Sequence, residues 1–282
     1  MIRELSKAYS IRQLCQILEV APSGYYRWRQ GRAIKRQRAN AELVEEIKSI
    51  HKAKRETYGS PRMTVELRRR GHRCNHKRVE RLMRQNGLKG RSCSKRKVKT
   101  TNSDHDELVA PNLLRGRAAP QGPDEVWVAD ITYILSAQGW LFLAAVMDLY
   151  SRMIVGWSLW RSLAADGALQ ALKRALTKRR YPRGIIHHSD RGIQYACGEY
   201  RSCLKQHGLI ASMSRKGNCY DNAAMEAFWS TLKREALEKS SQWSENRVSQ
   251  VLFEYIEAVY NRSRLHSSLG YQSPLDFETK TK

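Results

Sequence analysis

The order of strand-like and helix-like segments after residue 124 is the feature that most restricts the fold of this chain. Three apolar strand-like segments come first, separated by turn-forming residues at 138–139 and 149–151. The predicted strands are 126–134, 140–148, 152–159, 184–188 and 209–213, and the predicted helices are 164–179, 196–207, 220–238 and 244–260. A meander followed by alternating helices and strands predicts an α/β fold, in which helices cover both faces of a mixed sheet.

The residues before the strands carry helical patterns only, and these fall into two groups. Each group places a helix, a short turn and a second helix with basic side chains in succession. The predicted elements are helices over 11–19 and 24–30, a basic spacer over 32–38, helices over 39–54 and 61–70, and a last helix that Asn75 caps. Two such groups predict two small all-α helix-turn-helix regions, although an ordinary helical hairpin has the same pattern.

Basic side chains on the last helix of each group are the candidate contacts to DNA. They are Arg27 and Arg29 in the first group, and Lys77, Arg78, Arg81 and Arg84 in the second. Contacts of Arg and Lys with phosphates are what positions such helices on a duplex. The alternative is a cationic face that only water covers.

These patterns divide the chain into four predicted regions. The first helix-turn-helix region is 1–38, and the second, which is predicted to bind DNA, is 39–90. A basic linker rich in Pro and Gly is predicted over 91–122, because a charge run of this kind has little apolar surface to bury. The strands and helices of 123–282, with a C-terminal helix and tail, form the fourth region.

The charge of the chain favours a polyanionic partner. The 282 residues carry a formal net charge of +24. Residues 1–120 hold 30 Lys and Arg against 11 Asp and Glu, whereas residues 121–282 hold 21 against 16. A basic excess concentrated at one end of the chain is typical of proteins that bind nucleic acid, although ribosomal and membrane-surface proteins share it.

The sequence also indicates the cellular compartment. No stretch reaches the roughly 18–20 apolar residues of a membrane span, so we expect no membrane association. The six cysteines form no Cys-x-x-Cys pair, and we interpret them as reduced thiols. These features predict a cytoplasmic protein.

Three acidic residues are candidates for the chemistry of the chain. Asp130 lies in the middle of the first strand, where a carboxylate is costly unless something compensates it. Asp190 follows the fourth strand, although Ser-Asp-Arg-Gly is also ordinary turn chemistry. Glu226 lies on a predicted helix, where a glutamate is most often simply solvated. Helical spacing puts Asn222 and Lys233 on the same stripe as Glu226, so all three are predicted to face one site, where Asn222 and Lys233 are candidate contacts to DNA.

Three convergent carboxylates suit hard divalent cations such as Mg²⁺ or Mn²⁺. Two ions about 4 Å apart can activate an attacking oxygen and stabilise a leaving one during phosphoryl transfer. The sequence therefore predicts two ions held by Asp130, Asp190 and Glu226. The carboxylates do not indicate by themselves whether the phosphate belongs to DNA, RNA or a nucleotide.

Five motifs give the chain its resemblance to a known family. They are Tyr58-Gly59-Ser60-Pro61-Arg62, Trp127-x-x-Asp130-Ile131-Thr132-Tyr133, His187-x-Ser189-Asp190-Arg191-Gly192-x-Gln194-Tyr195, Ser214-x-x-Gly217-x-x-x-Asp221-Asn222-Ala223-x-x-Glu226-x-Phe228-x-x-x-Leu232-Lys233-x-Glu235 and Tyr260-Asn261-x-x-Arg264-x-His266-x-x-Leu269-Gly270-x-x-Ser273-Pro274. Nearly end to end, the chain resembles the OrfB subunit of bacterial insertion-sequence transposases of the copy-out, paste-in type. It departs from the family at Arg191, where Gln or Gly is frequent, and at Cys197, where Ser is common.

The resemblance implies a ribonuclease-H-like integrase core in which Asp130, Asp190 and Glu226 form a D,D,E triad. It implies that Lys233 contacts DNA near the end to be cut. The implied reaction hydrolyses a phosphodiester at the element end, and the freed 3′-hydroxyl then attacks a second phosphodiester. The implied partners are inverted-repeat DNA, target DNA and an OrfA protein or an OrfA–OrfB fusion. Pairing two ends needs two active sites, so we expect a homodimer or larger assembly on DNA.

Some interpretations stay open at the level of sequence. Arg264, in a basic segment near the C-terminus, is a candidate phosphate contact or a merely solvated cation. A DNA-binding regulator without catalysis is an alternative function, although all three acids are present. A ribonuclease-H-type nuclease acting on RNA–DNA hybrids is another, although two helix-turn-helix regions suit the reading of duplex DNA better.

Overall fold

The structure is a computed structural model that describes residues 1–91, 109–215 and 222–280. It divides into two compact units, Met1–Arg91 and Ser92–Lys282. All regular elements of the first unit are helices, and the second unit contains a five-stranded sheet. None of the described helices combines the length and the apolarity that crossing a bilayer requires.

Six helices build the first unit. They are α1 (Ile2–Leu5), α2 (Ile11–Ile17), α3 (Pro22–Arg29), α4 (Arg32–Ala53), α5 (Ser60–Arg69) and α6 (His76–Gln85). The apolar stripes of α4, α5 and α6 are buried, as at Ile47, Met63 and Val79. The Asn75 side chain accepts a hydrogen bond from the Arg78 N–H, which confirms the predicted cap of α6.

The predicted basic spacer over 32–38 is wrong, because α4 runs without a break from Arg32 to Ala53. The segment is rich in Arg, Lys, Gln and Ala, which favour helices even when their charges repel. Gly31, with a φ of 62°, supplies the left-handed residue that starts the helix in a new direction after α3. The predicted boundary between residues 38 and 39 therefore lies inside one helix.

The second unit contains the strands and the remaining helices. The strands are β1 (Val126–Ser136), β2 (Gly139–Asp148), β3 (Ile154–Trp160), β4 (Ile186–Ser189) and β5 (Ile210–Met213). The helices are α7 (Ala165–Lys178), α8 (Ile193–Ala196), α9 (Gly198–Gln206), α10 (Ala223–Glu235), α11 (Glu245–Phe253), a π-helix (Glu254–Tyr260) and α12 (Pro274–Lys280). All five predicted strands are present, and the predicted helix over 196–207 is present as α9, with the short helix α8 before it.

The strands form one sheet in the order β3-β2-β1-β4-β5. The β1–β2 and β2–β3 pairs are antiparallel, and the β1–β4 and β4–β5 pairs are parallel. This arrangement confirms the predicted mixed sheet. The meander supplies the antiparallel half, and the crossovers through α7 and through α8 and α9 supply the parallel half.

Both faces of the sheet are covered, as predicted. One face packs against α10, α11 and the π-helix, with residues such as Val128 and Phe228 in its core. The other packs against α7, α8 and α9. The approach of α7 to the sheet is so close that a Cβ on Gly156 would lie 2.2 Å from the Ala171 carbonyl oxygen.

Part of the predicted linker belongs to the second unit. The Leu113 N–H donates a hydrogen bond to Ser212 Oγ of β5, and Leu113 and Leu114 pack against the core. The prediction of a linker over 91–122 is therefore wrong for this part, because its few apolar residues find a place beside the sheet. The rest of the prediction over 92–108 lies outside the described residues.

Candidate active site

Asp130 lies on β1, where the sheet leaves one edge of that strand open. The parallel strand β4 pairs with β1 only through Val126–Val128. Beyond Val128, this edge of β1 has no strand partner among residues 1–91, 109–215 and 222–280. Asp130 is half-buried there, on the same face of the strand as Val128. The open edge gives a carboxylate in the sheet access to a substrate.

Two hydrogen bonds fix the Asp130 carboxylate. The indole Nε1 of Trp229 on α10 donates to Asp130 Oδ2 at 2.9 Å, and the Ile131 N–H donates to Oδ1 at 2.9 Å. Trp229 is buried and packs against Phe228. The helix that carries Glu226 is therefore tied to the acid on β1 by a side chain three residues after Glu226.

Asp190 follows the carboxyl end of β4, next to β1. Its Oδ1 accepts a hydrogen bond from the Gly192 N–H at 2.9 Å. A Cβ on Gly192 would lie 2.9 Å from this same oxygen, so a larger residue would displace the carboxylate. Carboxyl ends of neighbouring parallel strands meet at one edge of a sheet, which is how Asp190 comes near Asp130.

Glu226 lies in the first turn of α10. The helix buries Met225, Phe228 and Leu232 against the sheet, as the sequence predicts, and leaves the Glu226 side chain exposed. Its position near the helix N-terminus, where the backbone N–H groups point, favours a negative charge.

Electrostatics connects the three acids. The pKa of Asp130 is raised from 3.8 to about 7, first by burial and then by the negative charge of Asp190, with a smaller contribution from Glu226. The hydrogen bonds from Trp229 and Ile131 act in the opposite direction. Ionisation of Asp130 therefore costs free energy, and a bound cation would offset this cost.

Within the described parts of the chain, no group of three or more His, Cys, Asp and Glu side chains is close enough together to hold a metal ion. The candidate donor atoms are carboxylate oxygens of Asp130, Asp190 and Glu226, which is the ligand type that Mg²⁺ and Mn²⁺ prefer. The chemistry of the donor set fits these ions.

Lys233 extends from α10 toward the open edge of β1. Its Nζ lies 4.7 Å from the centre of the Tyr133 ring, and the lysine is half-buried. Burial lowers the pKa of Lys233 below its ordinary value, and the negative charge of Asp130 opposes this effect only in part. The predicted stripe thus brings Lys233 near the acids. Asn222 is buried instead, so its predicted exposure to DNA is at odds with the structure.

The histidines before Asp190 have structural partners. His187 is buried, and the Tyr200 hydroxyl lies 3.1 Å from its Nε2. Burial, together with the neighbouring His188, lowers the pKa of His187 to about 3, so its ring is neutral near pH 7. His188 Nδ1 lies 2.8 Å from Ser212 Oγ on β5. These contacts give both rings a structural role.

The candidate DNA contacts of the first unit divide into two groups. Arg27, Arg29, Lys77 and Arg84 are exposed. Arg78 instead binds α4, where its Nε donates to Asn40 Oδ1 and its Nη2 to the Ala39 carbonyl oxygen. Arg81 is half-buried, and its Nε is enclosed without a hydrogen-bond partner among the described residues. Only the exposed four are free to reach a duplex without rearrangement.

A basic pocket at the turn between α5 and α6 was not anticipated from the sequence. It has a volume of about 560 Å³, and Arg68, His72, Arg73 and Arg78 contribute to its wall. The sequence candidates of this region lay on α6, because the helical period of 3.6 residues identifies the exposed face of a helix. A turn has no regular period that would identify its exposed residues. The clustering of Arg and His over 68–78 was the available signal.

The prediction that Arg264 contacts phosphate is wrong. Its guanidinium is buried and forms two hydrogen bonds with the Glu235 carboxylate, both of 2.8 Å. Burial by itself lowers the pKa of Arg264, but the hydrogen bond and charge of Glu235 raise it above its ordinary value. The tail segment folds against the end of α10, so the cation belongs to the core.

Three family models match the chain. An integrase core domain matches residues 120–219, an HTH-like domain matches residues 37–97, and a second integrase core domain model matches residues 207–274. The first match contains Asp130 and Asp190, and the third contains Glu226 and Lys233.

Curated relatives match the chain over almost its whole length. The 31 kDa protein of insertion element IS600 from Shigella sonnei is 45% identical over 268 residues, which cover 95% of this chain and 98% of the relative. Transposase InsF for insertion sequence IS3A from Escherichia coli K12 is 39% identical over 274 residues, which cover 96% of this chain and 95% of the relative.

The solved structures that the chain matches include two of viral proteins. An intasome of simian T-cell lymphotropic virus in complex with a PP2A regulatory subunit matches 82% of this chain and 73% of that chain, with 14% identity and a TM-score of 0.47. The HTLV-2 integrase catalytic core domain in complex with magnesium matches 56% of this chain and 98% of that chain, with 12% identity and a TM-score of 0.43.

Proposed function

Because this chain belongs to the family of insertion-sequence transposases that includes InsF of IS3, we propose that it cleaves and joins DNA at the ends of a mobile element. The integrase core match and the mixed sheet confirm the predicted ribonuclease-H-like fold class. Family membership makes the chain a DNA transposase with a polynucleotidyl transferase core. The finer assignments of residues, metals and partners are the proposal.

The residue assignment is carried by the position of Asp130 at the open edge of β1, where Asp190 and Glu226 both add to the negative charge around it. Asp130, Asp190 and Glu226 are the proposed catalytic and metal-binding residues, and two Mg²⁺ or Mn²⁺ ions are the proposed cofactors. Bound there, such ions polarise the scissile phosphate and activate the attacking oxygen. The electrostatic coupling of Asp130 to both other acids supports this assignment, because three uncompensated negative charges favour a cation.

The proposed reaction has two steps at the same acids. Water attacks a phosphodiester at the element end, and the bond to the 3′-oxygen breaks, which leaves a free 3′-hydroxyl. That hydroxyl then attacks a phosphodiester of the target, and the 3′-oxygen of the target leaves. The protein positions the phosphates and stabilises charge at the acids, and Lys233 is the proposed cation that holds the DNA backbone beside them.

The proposed partners follow from the basic first unit and the family. The HTH-like match over 37–97 supports a role for α4, α5 and α6 in binding the inverted-repeat DNA. The exposed Arg27, Arg29, Lys77 and Arg84 are the proposed phosphate contacts. An OrfA protein or an OrfA–OrfB fusion, and assembly as a homodimer or larger on DNA, remain part of the proposal.

A cleavage and strand-transfer assay tests the function. The full chain is incubated with duplexes that carry the inverted repeats flanking its own gene, in Mg²⁺, in Mn²⁺ or in EDTA. We expect nicking at the element end and joined products with target DNA only when the metal is present. An RNA–DNA hybrid of the same sequence is the matched substrate. Hydrolysis of the hybrid without joining of element ends would favour the nuclease alternative.

Trp229 is a proposed positioning residue that the sequence did not single out. Replacing Trp229 by Phe keeps an aromatic ring against Phe228 but removes the N–H donor to Asp130. Loss of such an outer partner of a metal ligand is expected to cost about 10- to 100-fold in metal affinity or activity. The Mg²⁺ concentration that gives half-maximal cleavage should therefore rise.

The Trp229→Phe variant should melt close to the wild-type temperature, because it keeps most of the buried ring. Trp243→Phe provides a control, since Trp243 is only partly buried and lies at the margin of the core. An unchanged Mg²⁺ requirement in Trp229→Phe would show that its hydrogen bond does not position Asp130.

A further inference from the structure

Aromatic side chains are exposed on the far end of the sheet, on the face that α7 covers elsewhere. Trp140 is 54% exposed and Trp160 is 39% exposed. The cover of α7 ends at Trp160, where a Cβ on Gly167 would lie 2.6 Å from the indole ring. From the row of Trp160 to the end of the sheet, this face therefore presents rings that α7 does not cover.

Strand register places four rings together, and we call them the aromatic ledge. Tyr133, Phe142 and Trp160 are directly opposite one another across β1, β2 and β3, and Trp140 occupies the next row on the same face. The Tyr133 and Trp140 rings meet edge to face, with their centres 5.3 Å apart. This contact fixes the Tyr133 ring and leaves much of the Trp140 ring in solvent.

The ledge is joined to the catalytic acids by the backbone of β1. Tyr133 follows Asp130 by three residues, which is a distance of about 10 Å along the strand, and the two side chains point to opposite faces of β1. Lys233, on the helix of Glu226, places its Nζ 4.7 Å from the centre of the Tyr133 ring. A cation thus lies between the acids and the exposed rings.

We propose that Tyr133 and Trp140 form a stacking platform for an unpaired base of the DNA strand that is held at the catalytic acids. Lys233 then neutralises a phosphate next to that base. This inference rests on the proposed function, and it adds a contact to the substrate DNA that the triad does not provide.

The chemistry of the ledge favours a nucleobase as its occupant. Every base has a π-face that can stack on an aromatic side chain, but this face becomes available only when the base leaves its own stack. Asp130 points to the other face of β1, so a strand held at the acids reaches the ledge around the open edge of β1, where Lys233 lies. The cation at Lys233 and the net charge of +24 complement the phosphates that accompany a base.

A binding experiment with frayed ends tests the platform. The probe is a duplex of the chain's own element end with 2-aminopurine as its terminal base, made either fully paired or with a mismatched terminal pair. In EDTA, the wild-type chain should quench the fluorescence of the mismatched end. Trp140→Ala should lose this quenching and bind the mismatched end about 5- to 150-fold more weakly, which corresponds to the loss of one stacked base.

Three comparisons make the result specific. Trp140→Phe keeps a ring and should retain most of the quenching and affinity. Phe253→Ala removes another exposed aromatic side chain, on α11, and should leave both unchanged. The melting temperature of Trp140→Ala should stay near that of the wild type, because the ring is more than half exposed.

Two results would overturn the platform. One is equal binding of the mismatched end by Trp140→Ala and the wild type. The other is a change of oligomeric state in Trp140→Ala without a change in affinity for that end, which would assign the ledge to a second copy of the chain. Cleavage of paired ends in Mg²⁺ distinguishes a failure of the proposed function from a failure of the platform. A wild-type chain that does not cleave contradicts the proposed function, whereas a cleaving chain that is insensitive to Trp140→Ala contradicts the platform alone.

Discussion

Replacement of Asp130 by Asn is expected to reduce cleavage and strand transfer by at least about a thousandfold, because several kcal/mol of charge stabilisation is lost at the site. Asn has nearly the same shape and can still accept the hydrogen bond from Trp229 through its amide oxygen. It lacks the negative charge that a divalent cation requires. DNA binding should persist, because the proposed phosphate contacts lie on other residues.

The same substitution should stabilise the metal-free protein. Asp130 is half-buried, and Asp190 and Glu226 add negative charge near it, so the folded state holds its charge at a cost. Asn removes this cost and should raise the melting temperature in EDTA. Mg²⁺ should raise the melting temperature of the wild type by mass action and have a smaller effect on Asp130→Asn.

Glu226→Gln is the informative comparison for this stability effect. Glu226→Gln should abolish activity to a similar extent, because it removes a proposed metal ligand. Because Glu226 is exposed, the melting temperature in EDTA should stay nearly unchanged. Asp166→Asn, at an exposed acid in the first turn of α7, should retain activity. Strand transfer by Asp130→Asn at the wild-type rate would refute the catalytic assignment, whatever its effect on stability.

The physical difference between the three acids explains how well each could be predicted. Asp130 stands out by itself, since a carboxylate in the middle of an apolar strand has few structural explanations. Asp190 and Glu226 occupy positions where acids are ordinary. The resemblance to a family singled them out, and the structure supports the choice through the shift in the pKa of Asp130.

Contacts between distant parts of the chain were the ones that sequence patterns missed. Trp229 lies on the apolar side of α10, and nothing local reveals that its N–H reaches Asp130, 99 residues earlier. Arg264 has basic neighbours in the sequence and so resembles a surface cation. Its partner Glu235 is 29 residues away, and only the packing of the tail against α10 brings the two together.

The spacer over 32–38 shows the opposite error, in which a local pattern was given too much weight. A run of positive charge suggested a flexible connection, yet the residue types in it favour a helix and continue into the apolar stripe of α4. Helix propensity summed over the whole segment outweighed charge repulsion, which solvent and salt screen at a surface.

Replacement of Arg264 by Ala is expected to destabilise the second unit by about 3–5 kcal/mol, because it removes the cation that forms two hydrogen bonds with the buried Glu235 carboxylate and leaves only the more distant Arg234, at 3.5 Å. Glu235 also accepts a hydrogen bond from the Tyr255 hydroxyl at 2.8 Å, so the network joins the end of α10 to the π-helix and the tail. Denaturant unfolding followed by tryptophan fluorescence reports on this unit, because every tryptophan except Trp28 belongs to it.

The double variant Arg264→Met with Glu235→Gln separates a structural ion pair from a DNA contact. It removes both charges of the buried pair, and Gln can still accept the Tyr255 hydrogen bond, so most of the lost stability should return. At a temperature where each variant is folded, all should bind element-end DNA as the wild type does, because the guanidinium is enclosed. If Arg264→Ala weakened DNA binding without loss of stability, the arginine would be a phosphate contact after all. The ion pair with Glu235 would then have to open on DNA.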